Sequence, residues 1–215
     1  MPRGRKNTGV KEIVQVKTKL PLAVARDVAN HLVEQMAPHC KRIEIAGSIR
    51  RCRLEIGDIE IVAIPTVELY DLTDAWLSSG AIRHRDPRCW GNRLRSFRLD
   101  VKNLEESVQV DLFLQPDART WGVNLLLRTG SAEFSRKMVT KRSAGGFMPE
   151  HFRVYEARVW AGAKLLDTPE EADIFQLWGM DYVLPPQRSD WYDPKFGAAV
   201  AVEIEPVPVQ AGLFG

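Results

Sequence analysis

Three acidic residues occupy positions from which their side chains can act together. Asp58 and Glu60 are two residues apart in segment 57–62, whose β-branched residues predict a strand. Residues two apart in a strand point to the same face, so these two carboxylates face the same way. A third acid, Asp111, lies in segment Val108–Leu114, where alternating apolar residues take one face and leave Asp111 on the other. If the two strands are neighbours, the three carboxylates converge.

Converging carboxylates repel one another, and a divalent cation is the simplest partner for them. Carboxylate oxygens are hard ligands that suit magnesium or manganese rather than zinc. We therefore expect Asp58, Glu60 and Asp111 to form a site for Mg²⁺, with Mn²⁺ able to replace it. The alternative is an ordinary solvated strand face, which is the common meaning of two acids at this spacing.

A glycine and a serine precede the first two acids along the chain. Gly47 and Ser48 end a predicted strand and lead into a short arginine-rich segment. A turn into a helix offers backbone N–H groups to a phosphate, Ser48 adds a hydroxyl group, and Arg50 or Arg51 adds a guanidinium group. Phosphate donors beside three acids predict phosphoryl transfer assisted by two metal ions.

These segments resemble a known superfamily. The sequences G-S-x-R-R, G-D-I-E-I-V and V-x-V-D-L are similar to the motifs of the nucleotidyltransferases, whose best-known member is DNA polymerase beta. Two further segments, 128–134 with its Thr-Gly-Ser sequence and 168–186, are similar to the family X DNA polymerases, and the resemblance spans residues 20–188. The first motif alone also fits enzymes that modify antibiotics or add tRNA ends. Segment 168–186 is therefore the one that distinguishes family X from these enzymes.

The resemblance implies a DNA-directed DNA polymerase that adds nucleotides to a primer 3′-hydroxyl group and releases pyrophosphate, in DNA repair. Its implied partners are primer-template DNA and a deoxynucleoside triphosphate. By the same resemblance, Asp58 and Glu60 hold two Mg²⁺ ions, and Asp111 holds the catalytic ion beside the attacking oxygen. The implied nucleotide-binding residues are Gly47, Ser48, Arg51, Gly57, Thr129, Gly130 and Ser131.

Some positions depart from the family pattern. Leu127 and Arg128 stand where many relatives place an aromatic pair that packs against the nucleotide sugar. Gln109 stands where an arginine is common, and Glu60 replaces the commoner aspartate. The resemblance therefore carries no prediction about the choice between ribose and deoxyribose.

The pattern of apolar residues predicts an α+β fold in two parts. The resemblance implies that residues 20–143 form a palm-like nucleotidyltransferase domain, with a mixed sheet and helices on one face, and residues 144–191 a small α+β thumb-like domain. Residues 1–19 are a basic N-terminal segment, and residues 192–215 are a tail. We expect the helical lyase and fingers regions of larger relatives to be absent.

Hydrophobic periodicity locates the elements of both parts. Helices are predicted at 22–36, at 67–77, twice within 121–138 and at 169–178, and strands at 41–46, 59–64, 94–101, 108–114, 152–155 and 158–160. The last helix has boundary signals of its own. Thr168 and Glu171 are predicted to form a capping box, with Pro169 at the first helical position and Gly179 ending the helix.

Two clusters of basic residues predict contacts with DNA. Segment 83–98 holds six arginines and one aspartate, interleaved with Trp90 and Phe97. Arginine with aromatic rings suits phosphates and unpaired bases, although such a run is often only a solvated surface. A second cluster follows the Thr-Gly-Ser sequence. The predicted DNA contacts are Arg88, Arg93, Arg95, Arg98, Arg136, Lys137 and Lys141.

The C-terminal tail carries a different candidate motif. Segment 206–215 is uncharged and contains Gln210, Leu213 and Phe214. This spacing resembles the short peptide by which bacterial replication and repair proteins bind the sliding clamp. A Leu-Phe pair at the end of a tail suits binding of this kind, so we expect a clamp contact here. The alternative is an inert tail.

The overall composition excludes several classes of protein. A formal net charge of +2 rules out a uniformly basic DNA coat, and three cysteines without C-x-x-C spacing argue against a disulfide framework or a structural zinc site. No apolar run is long enough to span a membrane, so we expect a cytoplasmic monomer without a membrane partner. Two other functions compete with the polymerase: a nucleotidyltransferase acting on RNA or a small molecule, and an inactive DNA-binding or clamp-tethered adaptor.

Overall fold

The computed structural model describes residues 19–190 and residue 192. In this part of the chain, none of the helices is long and apolar enough to cross a membrane. In chain order, the elements are β1 (Leu20–Pro21), α1 (Leu22–Met36), β2 (Cys40–Ile45), α2 (Gly47–Arg50), β3 (Glu55–Ile56), β4 (Ile59–Pro65), α3 (Val67–Ser78), β5 (Ile82–His84), β6 (Leu94–Leu99), β7 (Val108–Leu114), α4 (Trp121–Thr129), α5 (Ala132–Val139), β8 (Phe152–Tyr155), β9 (Arg158–Ala161), β10 (Lys164–Leu166) and α6 (Glu171–Trp178).

A five-stranded mixed sheet forms the centre of the molecule, with the strand order β2-β4-β7-β6-β5. Strands β4 and β7 are parallel, and the other neighbouring pairs of this sheet are antiparallel. The parallel pairing places Glu60 directly opposite Asp111. On the other side of β7, Ser96 lies opposite Asp111. The mixed sheet of the predicted α+β fold is therefore confirmed.

Helices α1 and α3 cover one face of this sheet. Helix α1 forms because apolar residues recur at helical spacing, and Val28 and Leu32 are among those it buries. They belong to one core with the inward residues of the sheet, such as Ile61 and Leu112. Each fully buried side chain of this kind contributes roughly 1.5–3 kcal/mol. This burial fixes the alternation of β7 and turns Asp111 to the opposite face.

Helix α4 packs against that opposite face, where the sequence analysis expected no helix. Trp121 and Leu125 of α4 contact Val62 and Ile64 of β4 in a small core of their own. Glu60 alternates with the residues of the first core and therefore shares this face with Val62. The helix covers one part of the face and leaves the acidic residues beside it.

A second core joins α4, α5 and α6 to the antiparallel sheet β10-β9-β8. Its buried side chains include Leu126, Phe134, Val159, Phe175 and Trp178. Side chains from both sides of the predicted domain boundary at residue 143 thus share one core. The boundary itself stays a prediction.

The predicted start of the last helix is wrong. Helix α6 begins at Glu171, and the capping box is formed by Glu170 and Asp173. Thr168 is held elsewhere, because its backbone N–H donates to Arg119 at 2.6 Å and its carbonyl oxygen accepts from Gly122 at 2.8 Å. These bonds attach the segment before α6 to the start of α4. The predicted C-terminal stop is confirmed, since Gly179 ends the helix at a φ of +63°.

Candidate active site

The acidic residues singled out by their spacing lie on or next to two neighbouring strands of the five-stranded sheet. Glu60 and Asp111 lie opposite each other on β4 and β7, and neighbouring strands are about 4.8 Å apart. Asp58 lies in the bend before β4, two residues ahead of Glu60. The expectation that the two strands are neighbours is therefore confirmed.

Asp111 is fixed by hydrogen bonds to both of its carboxylate oxygens. Ser96 Oγ donates to Oδ1, and Gln109 Nε2 donates to Oδ2 over 3.0 Å. Arg85 lies 4.0 Å from Oδ1. Two neutral donors thus orient the carboxylate. Sequence reasoning missed Ser96, because only the pairing of β6 with β7 brings it beside Asp111.

Glu60 lies where its charged form is disfavoured. Burial and then the carboxylate of Asp58 raise the pKa of Glu60 to about 7, against the opposing charge of Arg51. Gly47 lies directly against this carboxylate, so that a Cβ atom added there would overlap Glu60 Oε2. Gly47 also has a φ of +61°, which glycine adopts without strain. Both space and backbone conformation therefore require glycine at this position.

The segment that follows Gly47 contains an unpaired hydroxyl group. The backbone N–H of Ala46 donates to the carbonyl oxygen of Glu60 at 2.8 Å and holds the start of α2 against β4. Ser48 Oγ is buried and has no hydrogen-bond partner among the described residues. A buried polar atom without a partner is costly, typically by about 1–3 kcal/mol. Ser48 therefore offers a hydrogen bond that the fold does not use.

The two arginines of this segment are engaged differently. Arg50 donates to both carboxylate oxygens of Glu171 and to Thr129 Oγ1, each over 2.8 Å. Arg51 Nη1 donates to the carbonyl oxygens of Thr129 at 2.6 Å and Gly130 at 2.9 Å. The guanidinium group of Arg50, one of the two predicted phosphate donors, is thus already bonded to the Glu171 carboxylate. Arg51 joins the two segments that were predicted to bind a nucleotide.

The Thr-Gly-Ser sequence forms the turn between α4 and α5. Ser131 is the N-cap of α5, and its Oγ accepts a hydrogen bond from the Phe134 backbone N–H at 3.2 Å. A Cβ atom at Gly130 would press on Ser135, so the turn is closely packed. Gly57, the remaining predicted nucleotide-binding residue, lies in the bend beside Asp58. The structure thus places this turn next to α2 through Arg51.

Glu171 is the centre of a buried ionic network. It is 5% exposed and accepts hydrogen bonds from Arg50, from Tyr182 at 3.0 Å and from Arg188 at 2.5 Å. Burial opposes the charge of Glu171, but the bonds from Arg50 and Arg188 outweigh it and hold its pKa below the ordinary value. This network ties α2 to α6. Sequence reasoning had assigned Glu171 only to a helix cap.

Arg128 adds a cation to the acidic side of the site. Its guanidinium carbon lies 3.9 Å from the centroid of the Phe113 ring, and Phe113 follows Asp111 by two residues on the same face of β7. Burial lowers the pKa of Arg128, while the charges of Glu60 and Asp111 oppose that effect. In the described part of the chain, its guanidinium makes no hydrogen bond or ion pair. The departure from the family pattern at Arg128 therefore lies beside the carboxylates.

The predicted DNA contact at Arg95 is wrong. Arg95 is 5% exposed, and its guanidinium donates to Asp74 at 2.8 Å and to the Tyr70 carbonyl oxygen at 2.9 Å. The same group lies 5.0 Å from the Tyr70 ring centroid and 4.7 Å from that of Trp90. Arg95 is therefore a structural residue under the arginine-rich segment.

The other predicted DNA contacts lie at or near the surface. Arg88 pairs with Asp86 at 2.7 Å, and Arg136 pairs with Glu133 at 2.6 Å. Arg93 and Lys141 are exposed, and their side chains form no hydrogen bond or ion pair with the described residues. The remaining two, both half-buried, are Arg98 and Lys137.

The described residues leave two predictions untested, the metal site and the clamp contact. Within residues 19–190, no group of three or more histidine, cysteine, aspartate or glutamate side chains is arranged to hold a metal ion as it stands. The predicted clamp-binding residues Gln210, Leu213 and Phe214 lie outside the described residues. Both predictions stay open.

Two solved structures have a similar fold. A crystal structure of Leishmania infantum polymerase beta, described as a ternary P/T complex, has a TM-score of 0.64 and 18% sequence identity, covering 80% of this chain and 77% of that chain. A crystal structure of the same polymerase as a ternary gap complex has a TM-score of 0.64 and 17% identity, covering 80% and 71%. No protein-family model and no curated protein matches the chain. The chain therefore shares the fold of polymerase beta.

Proposed function

We propose that the protein is a DNA polymerase of the family X type, which adds nucleotides to a primer 3′-hydroxyl group, releases pyrophosphate and acts in DNA repair. The single observation that carries the proposal is the pairing of Glu60 with Asp111 beside a glycine turn that lies against the Glu60 carboxylate. Acids and phosphate donors come together on a nucleotidyltransferase fold. The sequence resemblance to family X supports DNA as the polymer and repair as the setting.

The phosphates of the incoming deoxynucleoside triphosphate would bind on the glycine side of the site. Ser48 supplies a buried hydroxyl donor without a partner in the described chain. Arg51 supplies positive charge, and its bonds to Thr129 and Gly130 hold the Thr-Gly-Ser turn beside it. Guanidinium and hydroxyl donors bind phosphate oxygens with short, strong hydrogen bonds.

The acidic residues fit two magnesium ions by their donor chemistry. Asp58, Glu60 and Asp111 offer the hard oxygen ligands that Mg²⁺ prefers, and Mn²⁺ accepts the same donors. Burial and the charges of Asp58 and Asp111 raise the pKa of Glu60 to about 7, so bound cations would relieve this repulsion. When bound, such ions supply positive charge to the attacking and leaving oxygens of an in-line displacement.

Asp111 has the features of the residue that orients the attacking group. The bonds from Ser96 and Gln109 leave each of its oxygens with a further lone pair. Asp111 would accept a hydrogen bond from the primer 3′-hydroxyl group and direct that oxygen at the α-phosphate. Positioning of this kind accounts for much of the rate in phosphoryl transfer.

Primer extension tests this proposal most simply. The full chain with Mg²⁺ should add a deoxynucleotide to primed DNA, and Asp111→Ala should lower the rate at least about a thousandfold while the protein stays folded. The matched control is Asp100→Ala, because Asp100 is exposed and pairs only with Arg83. Residual extension within about tenfold of wild type would contradict the role of Asp111. Extension of an RNA primer, or transfer to a small molecule, in place of DNA extension would replace the polymerase with the alternative transferase.

A further inference from the structure

The small sheet β10-β9-β8 has one face that is turned away from the second core. Phe152 and Val159 are buried in that core, and Val154 packs against it. Because side chains alternate along a strand, the residues between them point outward. These outward residues are Arg153, Tyr155, Arg158 and Trp160.

The strand register arranges these four side chains in a regular pattern. Arg153 lies opposite Trp160, and Tyr155 lies opposite Arg158, so each cross-strand pair joins an arginine to an aromatic ring. The guanidinium carbon of Arg153 is 5.8 Å from the Tyr155 ring centroid and 5.7 Å from the Trp160 ring centroid. We call this set of four residues the outer face. It combines two positive charges with two ring systems.

The outer face has binding capacity that the described chain does not use. Arg153 and Arg158 form no side-chain hydrogen bond or ion pair within residues 19–190, and Tyr155 is 58% exposed. Trp160 Nε1 is buried without a hydrogen-bond partner in the same residues. Arg158 acts on Asp117 through its charge, but Asp117 is itself bonded to Arg119 at 3.0 Å. Free cations, an exposed ring and an unpaired donor therefore occur together.

We propose that the outer face binds an unpaired DNA strand, with a base stacked on Tyr155 and phosphates held by Arg153 and Arg158. An exposed ring can stack only on a base that has left the double helix, so the face suits single strands better than duplex. Two arginines beside the ring suit the phosphates on either side of that base. Its size matches about one or two nucleotides.

This inference rests on the proposed function only for the choice of DNA as the polymer. The surface is separate from Glu60 and Asp111, and it would hold template that extends beyond the paired region. An acidic peptide could also be attracted by the two arginines, but it has no base to stack on Tyr155. Single-stranded DNA is therefore the occupant that uses both arginines and the exposed ring of Tyr155.

Binding of fluorescent DNA to the full chain tests the inference without any catalysis. We expect Tyr155→Ala to weaken binding of a short oligothymidylate by about fivefold or more, because base–aromatic stacking contributes about 1–3 kcal/mol. Tyr155→Phe should bind within about twofold of wild type, since it keeps the ring. Binding of a blunt duplex should change by less than about twofold in every variant.

A charge variant and a control complete the experiment. Arg153→Gln should weaken binding of the oligothymidylate and reduce the slope of log affinity against log salt by about 0.7, the value for one phosphate contact on a single strand. Lys41→Gln removes an exposed positive charge from β2, at the edge of the central sheet, and should leave that slope unchanged.

Three results would overturn the inference. They are unchanged affinity of Tyr155→Ala and Arg153→Gln for the oligothymidylate, an equal loss on the blunt duplex, and tighter binding of an acidic peptide than of the oligothymidylate. Failure of the proposed function would appear differently, as absent nucleotide addition, while this binding assay would be unaffected.

Discussion

Two clusters of charge lie on either side of helix α2 and are built in opposite ways. Around Glu171, a buried carboxylate is paired with Arg50 and Arg188, and its pKa is lowered. Around Glu60, a half-buried carboxylate faces other acids, and its pKa is raised to about 7. In the first cluster, the carboxylate is paired with two arginines of the fold. In the second, nearby arginines offset the repulsion between the acids only in part, which is consistent with the proposed site for cations and a nucleotide.

On the proposed function, this difference separates residues that stabilise the fold from residues that would bind a ligand. Arg188 is completely buried, and its guanidinium group forms an ion pair with Glu171. Ser48, at the other cluster, keeps a buried hydroxyl group without a partner in the described chain. Substitutions should therefore affect stability at the Glu171 cluster and activity at the Glu60 cluster.

Gly47→Ala should cause a larger loss of activity than its loss of stability explains. The added Cβ atom would displace the Glu60 carboxylate, and a misplacement of about 1 Å can cost roughly a hundredfold in rate. Gly80→Ala is the matched control, because Gly80 also has a positive φ, of +78°, but nothing lies near its Cβ position. Single-nucleotide incorporation and thermal unfolding of both variants would compare the two effects. Equal activity of the two variants would show that contact with Glu60 is unimportant.

Glu171→Gln should give the largest loss of stability. It leaves the buried Arg188 without its carboxylate, and breaking a buried pair in this way costs about 3–5 kcal/mol. Asp100→Asn is the control, because its pair with Arg83 is exposed and contributes less than about 1 kcal/mol. Urea unfolding measures both variants. If the two variants lose the same free energy of unfolding, the Glu171 network is not a structural element.

The acid dependence of stability should change in the same variant. The pKa of Glu171 is lower in the folded protein than the ordinary value of 4.5, so its contribution is complete above pH 4.5. It is lost as the pH falls through the lower folded value. Glu171→Gln should therefore flatten the decline in the free energy of unfolding below pH 4.5. An unchanged acid decline would assign that decline to other carboxylates.

Arg93 and Arg95 offer a smaller comparison within the arginine-rich segment. Arg93→Gln should reduce the salt slope of DNA binding by about one unit, because an exposed arginine can contact one phosphate. Arg95→Gln should instead lower stability, since Arg95 is bonded to Asp74 and lies against two rings. Salt titrations of DNA affinity and unfolding curves for both variants separate the roles. A reduced salt slope in Arg95→Gln alone would reverse the assignment.

The sequence predicts the elements best where periodicity is strong. Strand β7 occupies the predicted residues, because its alternating apolar positions all enter one core. Helix α1 also begins and ends as predicted. The start of α6 was missed because the backbone of Thr168 pairs with Arg119 and Gly122, which are distant in sequence. Local cap signals cannot include such contacts.

The sequence predicts which acids form the candidate site, but it does not predict all of the side chains that surround them. The acids at 58, 60 and 111 follow from strand alternation, whereas Ser96 reaches Asp111 only through strand pairing. Arg95 was placed at the surface although Phe97, two residues later in β6, is a core residue on the same face. The same alternation that located the acids could therefore have assigned Arg95 to the interior.

Glu60→Gln tests the central claim most directly, because it removes the charge and keeps the shape. Because the folded-state pKa of Glu60 is about 7, its carboxyl group costs stability increasingly from pH 4.5 to 7 and in full above pH 7, whereas below 4.5 it is protonated in both states. At pH 8, the variant should therefore lose nucleotide incorporation by at least about a thousandfold and gain about 3 kcal/mol in the free energy of unfolding, and the gain should vanish at pH 4. Retained incorporation, or a loss of stability at pH 8, would contradict the claim that this cluster keeps its charge for a ligand.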